Sequence, residues 1–149
     1  MIGALVLLLV AGCGAAHQTA GNFPVVVAHP QVESDGPNVN LPHLPADSVR
    51  LLAPSRVVFN TTGTDRCVWW PKRLTVNDPS SITIDMRVNG DVTSCSTGAV
   101  SFPIAVKLNP RVVDFHRPLT VRLAYEVSIP GAGTKAWEKT GVAAALGES

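Results

Sequence analysis

Val121-Arg122-Leu123-Ala124-Tyr125-Glu126-Val127-Ser128-Ile129 sets large apolar side chains against small, polar or charged ones for nine positions. A period of two belongs to a strand with one face in a core and the other in water. Further toward the N-terminus the same alternation recurs at Val100, Phe102, Ile104, Val106 and Leu108, and at Ile82, Ile84, Met86 and Val88. Val68, Trp70, Leu74 and Val76 keep one parity around Pro71, Val57-Val58-Phe59 supplies a short run, and Trp137 to Leu146 supplies a last one. Turn-forming residues punctuate these runs at Asn77-Asp78-Pro79, Asn89-Gly90-Asp91, Asn109-Pro110 and Pro130-Gly131. No window repeats apolar residues at three and four. The pattern predicts an all-β domain, an immunoglobulin-like antiparallel β-sandwich of six or seven strands. Pro71 and Pro103 lack an amide donor and belong at edges or bulges.

The chain has 149 residues, enough for one domain, and its 15% charged residues give a net charge of +1. That balance offers no clustered basic face for nucleic acid. Its apolar excess is concentrated in Ile2 to Ala11, ten residues where a membrane-spanning helix needs about 20. The length suits the core of a signal peptide. The run closes on Val10-Ala11-Gly12-Cys13, which resembles the lipobox of bacterial lipoproteins: aliphatic, small, small, then cysteine. The resemblance implies a diacylglyceryl group on Cys13, cleavage before it, and an extracytoplasmic domain held by acyl chains at the outer face of the cytoplasmic membrane. Two or more chains anchor stably where one binds marginally. No Lys or Arg precedes the run, a departure from the usual positive n-region.

The expected organisation is therefore a signal peptide over 1–12, a tether over 13–47 and the β domain over 48–149. The tether carries five prolines, Pro24, Pro30, Pro37, Pro42 and Pro45, with no sustained periodicity. Within it, Val25-Val26-Val27 has the composition of an edge strand.

With Cys13 lipidated, Cys67 and Cys95 are the remaining thiols, and an oxidising compartment favours their pairing. A loop of that length limits the unfolded chain by about 3.6 kcal/mol on the chain-entropy model. Metal ligation is the rival reading, but two isolated cysteines lack the four-ligand spacings of zinc sites. Gly63-x-x-x-Cys67-x-x-x-Pro71, Leu74-x-Val76, Cys95 and Arg117-Pro118-Leu119-Thr120-Val121-Arg122-Leu123 together resemble a domain of actinobacterial secreted and lipid-anchored proteins. The resemblance covers about 60 residues and implies a disulfide-linked β domain outside the membrane, with no activity attached.

The sequence holds no Gly-x-Ser-x-Gly, Ser-x-x-Lys, His-Glu-x-x-His or phosphate-loop pattern. His17, His29 and His43 fall in the expected tether and His116 in a turn, so no cofactor or metal is expected and the chain reads as a non-enzyme. Trp69 and Trp70 are adjacent and must face opposite ways on a strand. Parity with Val68 and Leu74 assigns Trp70 to the core and Trp69 to the surface, and a bulge at Pro71 would swap them. Trp69 and Trp137, the latter among Lys135, Glu138 and Lys139, are the candidate contacts for an envelope protein or glycan. The expected function is a binding or accessory module of the cell envelope. An envelope hydrolase or small-ligand carrier, the alternative, requires a concave pocket.

Overall fold

Among the described residues the chain forms nine strands, two or three more than the six or seven expected: β1 (Val25–Val27), β2 (Val32–Ser34), β3 (Val49–Leu52), β4 (Arg56–Gly63), β5 (Val68–Asp78), β6 (Ser81–Asn89), β7 (Val100–Lys107), β8 (Leu119–Ile129) and β9 (Gly133–Ala143). The computed structural model describes residues 22–64, 67–90 and 92–147. Among them the only helical element is a 3-10 turn, Val92–Ser94. The all-β expectation holds.

The strands form one sheet in the order β2-β7-β4-β5-β6-β8-β9, with β1 added to β5 and β3 to β4. Its two halves are joined narrowly. β4 and β5 share a single residue pair, Gly63 with Val68, whereas β4 and β7 pair over eight. Side chains from both halves enter one core: Val57 and Phe59 of β4 and Ile104 and Val106 of β7 meet Val76, Ile84, Val121 and Leu123 of β5, β6 and β8. Those of β5 to β8 are positions the alternation assigned inward.

One pairing departs from a wholly antiparallel arrangement. β6 and β8 run parallel, from Ser81 beside Thr120 to Arg87 beside Glu126. Parallel neighbours need a long crossover, and here the crossover carries β7 to the other half of the sheet, where it pairs with β4 and β2.

Residues 22–47 differ from a free tether. Val25, Val26 and Val27 pair with Val76, Thr75 and Leu74, and Val32 to Ser34 pair with Val106 to Ile104. Leu41 is 2% exposed and covers Val58 and Ala105 on the outer face of β4 and β7. The Leu41 amide donates to Asp35, Asn60 Nδ2 donates to the Leu44 carbonyl, and Lys139 pairs with Asp47. The prolines signal irregular backbone, and here that backbone is packed rather than free. The expected signal peptide over 1–12, the expected acylation site Cys13 and the following residues through 21 lie outside the described residues.

Candidate functional site

At one end of the molecule the inner face of β5, β8 and β9 carries three aromatic rings. Tyr125 of β8 is opposite Trp137 of β9 in the hairpin register. Their rings stack with centroids 5.3 Å apart and planes 3° from parallel. Trp69 of β5 meets both edge-on, at 5.2 Å from Tyr125 and 5.1 Å from Trp137. Edge-to-face and offset-stacked contacts are the favoured geometries of such rings. Burial grades across the trio: Tyr125 is 8% exposed, Trp69 is half-buried, and Trp137 is 42% exposed. The two candidate contact residues, 68 positions apart in sequence, are thus neighbours in space.

The parity assignment of the tryptophans is corrected. Pro71 pairs with Met86 and Arg73 with Asp85, so Lys72 is an extra residue in β5 and the alternation slips by one. Trp69, opposite Val88, therefore shares the inner face of Met86 and Ile84, and Trp70, opposite Arg87, takes the outer face. The bulge foreseen at Pro71 falls one residue later. Both indoles are half-buried and packed against the core.

Cys67 and Cys95 are bonded, with Cα atoms 5.3 Å apart. The bond ties the start of β5 to the loop after β6. Beside it, Trp69, Val88, Val127 and Ile129 line an open cleft of about 340 Å³. The disulfide and the aromatic trio thus meet at Trp69.

Burial holds the Tyr125 hydroxyl above the ordinary phenol pKa, and the nearby Asp47 carboxylate adds to the rise. The sequence reading missed Tyr125 as a member of the site. The signal was present: a hairpin centred on Gly131, within the Pro130-Gly131 turn, sets Tyr125 opposite Trp137.

The outer face of the same strands carries compensated charge. Arg73 pairs with Asp85 at 2.7 Å, Arg87 with Glu126 at 3.4 Å and Arg122 with Glu138 at 3.8 Å. These half-exposed pairs contribute little stability and present no excess of either sign. His29, His43 and His116 are exposed, and no group of metal-ligating side chains occurs among the described residues. Compared with known proteins, the chain matches no family model, no curated protein and no solved structure.

Proposed function

We propose that this chain is a lipid-anchored module of the cell envelope that binds another envelope component, protein or glycan, through the Trp137 edge of β9. One observation carries the binding reading. Trp137 keeps 42% of its surface in water although its ring is stacked on buried Tyr125 and braced by Trp69. An aromatic side chain held this way has already lost its rotamer freedom, so a partner gains the contact without that entropic cost. Large, rigid aromatic anchors are the residues that dominate binding energy at interfaces. The Val10-Ala11-Gly12-Cys13 pattern supports the anchor, and the Cys67–Cys95 bond supports an oxidising compartment.

The test places a photo-crosslinking amino acid at position 136 or 138 of the full chain in intact cells. Crosslinks at the exposed neighbours 136 and 138 that disappear on Trp137→Ala, with the melting temperature nearly kept, are the expected result. Crosslinks that persist in Trp137→Ala would refute a contact through this ring. The anchor is tested separately: a palmitate analogue fed to cells should label the wild type, and Cys13→Ser should abolish the label and release the protein from the membrane. A labelled Cys13→Ser chain would remove the lipobox reading.

A further inference from the structure

At the Trp69 end the chain passes between the two halves of the sheet by two neighbouring connections. One runs from β4 into β5, where Gly63 faces Val68 and the Thr64 amide donates to the Cys67 carbonyl at 2.8 Å. The other leaves β6 for β7 on the far half, and its two ends lie beside the same pair, Asn89 opposite Val68 and Val100 opposite Gly63. Cys67 belongs to the first connection and Cys95 to the second, so the disulfide staples them together.

The two partners of this bond differ in access. Cys67 is 7% exposed, whereas Cys95 and the residues from 96 to 100 that follow it are all exposed. Both cysteines line the open cleft of about 340 Å³ beside Trp69. Thiol–disulfide exchange begins when a thiolate attacks one sulfur and expels the other, and access decides which sulfur is attacked. Here access favours Cys95. Structural disulfides resist such attack, while exposed ones are the labile and regulatory ones.

We infer that the Cys67–Cys95 bond is a thiol-exchange site, opened at Cys95 by an external thiol and closed again by Cys67, and that its state sets how firmly the aromatic trio is held. In the opening step the thiolate R–S⁻ bonds to Cys95 Sγ, the S–S bond breaks and its electron pair leaves on Cys67 Sγ. The products are the mixed disulfide R–S–S–Cys95 and the Cys67 thiolate. Return attack by that thiolate on Cys95 Sγ expels R–S⁻ and restores the bond. Cys67 is placed for the return, because its amide donates to Thr64 Oγ1 at 3.2 Å and its carbonyl accepts from the Thr64 amide. Trp69 follows Cys67 by two residues on β5 and shares the cleft with Val92 and Ala99, from the connection that carries Cys95. Opening the bond therefore releases the wall that faces Trp69, and Trp69 braces Trp137. That control rests on the binding role proposed for Trp137, whereas the exchange itself does not.

The experiment treats the full oxidised chain with N-acetylcysteine under native conditions, traps thiols with N-ethylmaleimide and maps both cysteines by peptide mass. The expected product carries N-acetylcysteine on Cys95 and maleimide on Cys67, in excess of the reverse by about tenfold or more. Its rate of formation should hardly change with urea well below the unfolding midpoint. An adduct on Cys67, an even split, or a rate that rises with urea in step with unfolding would overturn the inference. For the control of the trio, amide hydrogen exchange over 68–70 and 135–139 should be faster in the opened chain, and crosslinks from positions 136 and 138 should fall when membranes are treated with the same thiol and return when it is removed. Hydrogen exchange equal in both states would overturn that control. Crosslinks absent from the oxidised chain as well would count against the Trp137 reading, and the adduct map and hydrogen exchange would still decide the exchange site.

Discussion

The outermost and innermost rings of the aromatic trio differ in what they contribute, and single substitutions separate them. Trp137→Ala removes one stacked and one edge-on contact from an exposed position, a loss of about 1 kcal/mol. Trp69→Ala opens a gap between Tyr125, Trp137 and the disulfide. Its cost should approach the roughly 3–5 kcal/mol of a buried Trp, and should exceed that of Trp70→Ala, which forfeits no ring contact among the described residues. Denaturant midpoints of the three variants check this, and a larger loss for Trp70→Ala would restore the unbulged register of β5. Tyr125 offers a second measurement, because it is the only tyrosine in the chain. Burial first and Asp47 second raise its pKa above 10. The folded state therefore favours the neutral phenol, so this contribution to stability is complete below pH 10 and is lost as pH rises through the folded-state pKa. Absorbance titration at alkaline pH should show a raised midpoint, lowered part of the way toward 10 by Asp47→Asn and fully by unfolding.

Among the elements, the narrowest connection is the one between β4 and β5. A Cβ on Gly63 would stand 2.9 Å from the Cys67 carbonyl oxygen and from the Val68 Cα, both backbone atoms that cannot turn aside. Gly63→Ala should therefore cost about 1–3 kcal/mol, whereas Gly36→Ala, with nothing within 4 Å, should stay within about 0.5. Thermal melts of both variants test the contrast. Reduction of Cys67–Cys95 should also lower the melting temperature, by the equivalent of about 3–4 kcal/mol if the bond acts on the unfolded chain. The long strands were legible because alternation is a local property: β5 through β8 fall where Val68, Ile82, Val100 and Val121 open their runs. β2 and β3 were not. Three and four residues carry too few alternations to register, and both gain their strand state from the β7 and β4 edges they pair with. The parallel β6–β8 pairing was equally hidden, since inward and outward positions of a strand say nothing about the direction of its neighbour. Two of the three rings of the candidate site were readable, Trp69 and Trp137 by residue type. Their convergence depended on the Lys72 bulge, which Pro71 signalled as an option without fixing whether or where the register would slip.

For the molecule as a whole, the 22–47 segment acts as a strap across the outer face of β4 and β7, and Leu41 is its fixing point. Leu41→Ala should cost about 2–4 kcal/mol, measurable as a shift in denaturant midpoint. A shift below 0.5 would mean that the segment adds nothing to stability and behaves as a spacer. The parallel pair at the centre of the sheet has a consequence for how the chain acquires this shape. The β5–β6 and β8–β9 hairpins close over turns of two and three residues and need no help from distant sequence. Joining them along β6 and β8 requires the intervening chain to leave, find β4 on the other half and return, so loop-closure entropy is spent before the central contacts reward it. Assembly should therefore be slow beside hairpin formation. Until it is complete, β6 and β8 each present an open, aggregation-prone edge, and for that interval the unfinished protein depends on whatever shields nascent chains in its surroundings.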